Sequence, residues 1–374
     1  MRSLLNRSMD ILIILVFILG FFPPQPVHSA TIYISEDTTW SDPYHLPNSD
    51  VVIQSGATLT IVSGVSVGPT CSDSGHYSGG NDSSRVEIIV ESGGRLEADG
   101  VNFGSTIAVD TCWYGIQFKP GSSGFIHNSK IEYSLLGVYL QGNANLVGNT
   151  IQNIHGQTAI PDIKNGETVY GIRIAAESYS PLIKNNVLKS IWGGNGADGT
   201  APGAAGSNAA PAGQAFGIFI EQGSPTIENN QITNIRGGHG GNGGNGANGK
   251  NGGDAVSAGL NGKAGEPGGN GGNGADGQPA RGIFVSAEGQ TVIIKGNEIF
   301  GIVGGNGGRG GNGGDGGNGG NGATGTTRMT GGAGGNGGIG GSGGLGGHSG
   351  DETESFVFRY NKQDFLLIGR YYIP

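Results

Sequence analysis

The residues best placed for chemistry stand two positions after a recurring glycine: Gln117, Tyr139, Arg173, Phe219 and Phe284. Aromatic rings beside a guanidinium can stack on sugar faces, so Tyr139, Arg173, Phe219 and Phe284 form a candidate ligand-binding row. The competing expectation is that neighbouring chain covers them, since the bulkiest apolar members follow the longest intervening segments. Left open, such a row would mark an interaction surface. Acid–base chemistry has no equivalent signal. A glycosidase needs two carboxyl groups across a cleft, and Asp162, Glu167, Glu177, Glu221 and Glu288 show no consistent stacking. A polysaccharide lyase needs clustered carboxylates for Ca2+ and a basic side chain near the sugar acid. No two carboxylates share the outward position, so no catalytic residue is assigned.

Metal chemistry is equally sparse at this level. The tracts Gly193–Asp198 and Gly271–Asp276 approach the calcium-binding nonapeptide G-G-x-G-x-D-x-U-x, but Thr200 and Gln278 stand where a large aliphatic residue is required. The chain is expected to need no cofactor, with Ca2+ at these tracts the alternative. Cys71 and Cys112 are the only cysteines, and in an oxidising compartment such a pair bonds, which predicts one structural disulfide. A metal-bound or nucleophilic thiol would need a partner ligand. His76 is the only histidine close to Cys71, and one histidine is not a site.

Behind these residues lies a repeat. Five blocks recur, Gly115–Phe118, Gly137–Leu140, Gly171–Ile174, Gly217–Ile220 and Gly282–Val285, each reading Gly followed by a short alternating strand. About ten residues later each is followed by a second element, as in Ile126–Ile131, Leu146–Ile151, Ile183–Leu188, Ile227–Ile232 and Ile294–Ile299. A unit of this size cannot bury its own apolar face, so neighbours must stack on it as a β-solenoid. The stack places Asn149, Asn186, Asn230 and Asn297 above one another, with Ser129 beneath. We expect these asparagines to be structural turn residues, able to take the left-handed conformation and to bond along the stack.

The N-terminal third adds Thr38–Tyr44 with Trp40, Ala57–Ile61, Ile88–Gly100, Val101–Phe103 and Trp113–Phe118. This order resembles the start of bacterial secreted right-handed parallel β-helix proteins. With the five blocks, the resemblance spans Thr31 to about Val303 outside the insertions. It implies an all-β, pectate-lyase-like right-handed β-helix, a fold shared by lyases, hydrolases, adhesins and tail proteins, and so it names no single function.

Glycine supplies 80 of 374 residues. The block-opening glycines are 22, 34, 46 and 65 residues apart, and the added length always enters between the last Ile of one coil and the Gly-Ile of the next. The insertions, at about 155–170, 193–216, 237–281 and 304–354, must leave from one corner as a widening shelf. A non-glycine residue at every third position, as in 310–320, fits polyproline II geometry and predicts stacked polyglycine II strands, against the alternative of flexible tracts. The expected organisation is a signal peptide at 1–30, an N-terminal cap and first coils at 31–114, interrupted coils at 115–303, the glycine-rich insertion 304–354, and a partial or truncated coil at 355–374. Ser355–Tyr360 could begin a sixth coil, but Asp364–Pro374 contains no Asn turn, so self-association through an uncapped end is expected as an alternative to truncation.

The apolar run Ile11–Phe22 behind Arg2 and Arg7 reads as an export signal, too short for a bilayer span, with a retained amphiphilic anchor as the alternative; no membrane span is expected once the signal is removed. A net charge of −9 with scattered basic residues argues against nucleic acid. The reading is therefore a secreted or surface-displayed structural and adhesive protein that presents its glycine-rich surface to a polysaccharide or a partner protein. The alternative is a polysaccharide-active enzyme, a lyase or glycoside hydrolase, of the β-helix class.

Overall fold

The computed structural model describes residues 30–45, 47–71, 73–104, 113–159, 165–200, 205–257, 260–286 and 291–322, and the strands Phe356–Phe358 and Leu366–Ile368. The expected export signal, Cys112, Asp162, Glu288 and most of 323–374 lie outside the described residues.

The chain winds as a parallel β-helix. Among the described residues three parallel sheets, of nine, nine and eight strands, run along the column, and successive strands visit them in turn. One coil shows the pattern: Ala215–Gln222 in the first sheet, Thr226–Glu228 in the second and Gln231–Arg236 in the third. The next coil repeats it in register, with Ile218 on Ile283, Ile227 on Ile294 and Ile232 on Ile299.

Alternation of side chains explains the core. In this coil Ile218, Ile220, Ile227, Ile232 and Ile235 point inward and are fully buried. Each contributes about 1.5–3 kcal/mol relative to exposure, but only because a coil lies above and below it. Trp113, Phe103 and Phe118 are fully buried in the lower coils of the same continuous core.

Two local devices shape each turn of the column. The first is the corner between the second and third sheets. Here the residue before the ladder asparagine takes the left-handed conformation: Asn128 at φ 47°, Gly148 at 72°, Asn185 at 56°, Asn229 at 54° and Gly296 at 64°. The ladder asparagines themselves are not left-handed, which corrects the expected geometry. They turn inward and are buried. Asn186 Oδ1 accepts from both the backbone N (2.9 Å) and Nδ2 (3.0 Å) of Asn149, and Asn230 Oδ1 does the same for Asn186. Asn297 extends the stack above, and below it Ser129 N donates to Asn149 Oδ1.

The second device is the glycine that opens each first-sheet block. A Cβ built on Gly171 would point into the core at Ile191 and Leu188 and close on the carbonyl of Gly217. Only glycine fits, and the bend it permits lets the residues on either side, at positions such as 170 and 173, both face outward.

Candidate functional site

Every insertion leaves at the corner where the third sheet returns to the first, and the described parts form an ordered shelf. Strands leave the column at 193–200, 237–255 and 304–322 and return at 205–214 and 262–279. Their backbone bonds repeat every third residue. Gly240, Gly243, Gly246, Gly249 and Gly252 donate to the parallel strand above, at Asn306, Arg309, Asn312, Asp315 and Asn318. Gly244 donates to Ser207 of an antiparallel returning strand, and Gly272, Ala275 and Gln278 donate back to Gly244, Gly241 and Gly238. This is the hydrogen bonding expected of stacked polyglycine II strands.

At several triplets a further N–H is satisfied by a side chain. Asn242 N donates to Asp198 Oδ1, Arg309 N to Asn242 Oδ1, Asn312 N to Asn245 Oδ1, Asp315 N to Asn248 Oδ1 and Asn318 N to Asn251 Oδ1, all at 2.6–2.9 Å. These strands are thereby tied to one another by backbone and side-chain bonds without a hydrophobic core. Glycine is obligatory in it: a Cβ on Gly243 or Gly308 would collide with the carbonyl of Gly272 or Gly241.

The outcome is a face of exposed side chains at regular spacing. Along one strand they recur every third residue, about 9 Å apart at roughly 3.1 Å per residue. Asn245, Asn248 and Asn251 are exposed and commit their Oδ1 atoms to the adjoining strand, which presents their amide NH2 groups to a ligand. The aspartates of the two nonapeptide-like tracts, Asp198 and Asp276, belong to this extended lattice and not to a calcium roll.

Where shelf meets column, the outward row predicted from sequence is assembled in register: Gln117, Tyr139, Arg173, Phe219 and Phe284 lie on successive strands. Gln117 is fully buried and accepts from Asn81 Nδ2 at 2.7 Å. Tyr139 and Phe284 retain only 8% and 7% exposure, so the neighbouring chain does cover much of the row. Sequence reasoning missed its companions, Tyr170, Phe216 and Arg281. They stand directly before the block glycines, and that position was the signal that could have found them.

Together they line an open cleft of about 320 Å3 with Thr168, Gln214, Phe219 and Phe284. Its rings stack on one another, Tyr170 on Phe216 at 5.2 Å and 8°, Phe216 on Phe219 at 5.0 Å. Arg173 lies over Tyr139 at 4.6 Å and Arg281 over Phe284 at 5.0 Å. Arg173 also donates from Nε and Nη2 to Glu221, at 3.0 and 2.7 Å. Burial works against the Arg173 charge, but these bonds outweigh it and hold the guanidinium above its ordinary range. Burial likewise raises the Tyr139 and Tyr170 hydroxyls.

Below the cleft, the loop 68–86 laps over the first sheet. Burial pushes the Glu87 carboxyl up to about 8 against the backbone N–H groups of Asn81 and Asp82. Arg85 bridges Asp82 (2.6 Å) and Glu167 (2.9 Å), tying this loop to the base of the shelf. Glu167 and Glu221, two of the carboxylates considered for acid–base work, are thus each held by an arginine, and Glu177 is exposed.

Cys71 is not a free thiol; Cys112, its expected partner, lies outside the described residues. No helix among the described residues is long and apolar enough to cross a membrane. Comparison with known protein families, characterised proteins and solved structures gives no match.

Proposed function

We propose that the protein is an exported, non-catalytic adhesive module whose shelf binds an extended polysaccharide, the β-helix serving as its rigid scaffold. The observation that carries this reading is the lattice of exposed asparagines whose Oδ1 atoms are fixed by the neighbouring strand. A ligand meeting this face orders few side chains, so little of its binding energy is lost to side-chain entropy. Repeated amide donors suit a polymer with repeated hydroxyl groups better than a small compact ligand.

The cleft supports a second reading, a polysaccharide-active enzyme in which Arg281 holds an acidic sugar beside Phe219. Both readings meet in one experiment. The chain is exposed to a glycan array and to insoluble polysaccharides, beside a variant in which Asn245, Asn248 and Asn251 are replaced by Ala. Binding that falls at least tenfold in the variant, with no shortening of the glycan, supports the adhesive module. Depolymerisation, or binding untouched by the three substitutions, would sink it.

A further inference from the structure

We propose that Asp50, Asp73 and His76 bind a single zinc-class divalent cation, which staples the loop 68–86 to the strand Val51–Ile53. His76 Nδ1 lies 3.4 Å from Asp50 Oδ2 and 3.6 Å from Asp73 Oδ2. A charge-assisted N–H···O bond would be about 2.7–2.9 Å long, so the ring nitrogen faces both carboxylates without bonding either. These separations do match the edges of a coordination tetrahedron. Ligand atoms about 2.0–2.2 Å from a zinc ion stand roughly 3.4 Å apart. The three donor atoms lie within 4.8 Å of one another.

A second observation points to the same ion. Asp73 Oδ2 is buried without a hydrogen-bond partner, on a side chain that is 0% exposed. An anionic oxygen in that position calls for a cation. The carboxylates are also oriented in advance: Gly75 N donates to Asp73 Oδ1 at 3.0 Å and Glu87 N to Asp50 Oδ1 at 2.7 Å, while Tyr77 N donates to Asp50 Oδ2 at 2.7 Å. Such outer bonds are what hold metal ligands in place. His76, with 33% of its side chain exposed, opens the site to solvent, where an ion enters and a water completes the fourth position.

One imidazole with two carboxylates selects zinc over calcium or magnesium, which take oxygen ligands. Asp50 belongs to the column, whereas Asp73 and His76 belong to the loop. Binding therefore fixes the loop that covers Glu87 and reaches the shelf through Arg85.

The test uses the full chain without a polyhistidine tag, stripped by chelator and titrated with Zn2+, Ca2+ or Mg2+. Expected are saturable binding of a single zinc ion per chain, a higher melting temperature and protection of residues 68–86 from protease, none of them produced by Ca2+ or Mg2+ at the same concentration. His76→Ala, a partly exposed change that the fold should tolerate, is expected to abolish these effects. The visible bands of tetrahedral Co2+ should appear in the parent chain and be lost in that variant. No saturable zinc binding, or zinc and cobalt binding undiminished by His76→Ala, would overturn the proposal.

Discussion

Asn186 shows how much one residue can hold in this fold. Its Oδ1 receives Asn149, and its Nδ2 donates to Leu146 O and Asn230 Oδ1, all away from water. Asn186→Ala leaves two buried partners unsatisfied and is expected to cost on the order of 3 kcal/mol, at about 1–3 kcal/mol for each orphaned group. The adjoining Asn185 has a different task. It is exposed and left-handed at φ 56°, so Asn185→Gly should be nearly neutral. Denaturant midpoints of the two variants separate the roles, and a cost below about 1 kcal/mol for Asn186→Ala would mean that the ladder is ornamental. Glycines divide in the same way. Gly217 has no space for a Cβ between Gly282 O and Ile232, whereas Gly253 has nothing near it. Gly217→Ala should destabilise by about 1–3 kcal/mol through overpacking, and Gly253→Ala should leave the melting temperature unchanged or slightly higher. Equal effects at both positions would contradict the packing described.

At the scale of elements, the loop 68–86 carries a pH dependence. Burial of Asp82 would raise its carboxyl, but hydrogen bonds from Ser84 and the charge of Arg85 outweigh this and hold it below the ordinary 3.8. The sign follows: the folded state favours the carboxylate, so the contribution is complete above pH 3.8 and is lost as pH falls through the lower folded value. Amide hydrogen exchange of residues 73–86, corrected for its intrinsic pH dependence, should lose protection in that acid range, and Asp82→Asn should show the lower protection at neutral pH as well. Protection at neutral pH that is the same in the parent chain and in Asp82→Asn would refute the assignment.

The coils and the exit corner of the insertions were legible because apolar alternation and spacing survive the insertions: Ile183, Ile227 and Ile294 do stack. The outward row was legible for the same reason. Its cover and its companions were not, because Tyr170 and Phe216 face outward through a bend that a two-residue period does not contain. The inward turn of the asparagines was hidden by a rule that treats Asn as a turn former, whereas the turn is made one residue earlier. Asp50 was unreadable as a partner of His76, since only the winding of the chain brings position 50 beside 73 and 76.

At the scale of the whole molecule, two bodies with different cohesion share one chain. The column is held by a continuous apolar core, and a stack of this kind behaves as a sum of coils and nearest-neighbour interfaces. The shelf has almost no apolar interior and is held by backbone bonds, each worth about 0.5–1.5 kcal/mol net, against the large entropy cost of ordering glycine. It can be ordered only because the column fixes both ends of each pair of strands, which removes the cost of closing the loop and sets the register. Dependence should therefore run in one direction. Gly243→Val places side-chain carbon against Gly272 O in mid-shelf, and is expected to speed amide hydrogen exchange at Gly240, Gly246 and Gly249 at least tenfold. Exchange at Ile183, Ile227 and Ile294 in the column should stay as it was. Ile227→Asp, which buries a charge between Ile183 and Ile294, should loosen both bodies together. If Gly243→Val instead exposed the column amides, the shelf would be a stabilising part of the helix and not cargo carried by it, and its regular asparagine face would then need no ligand to explain it.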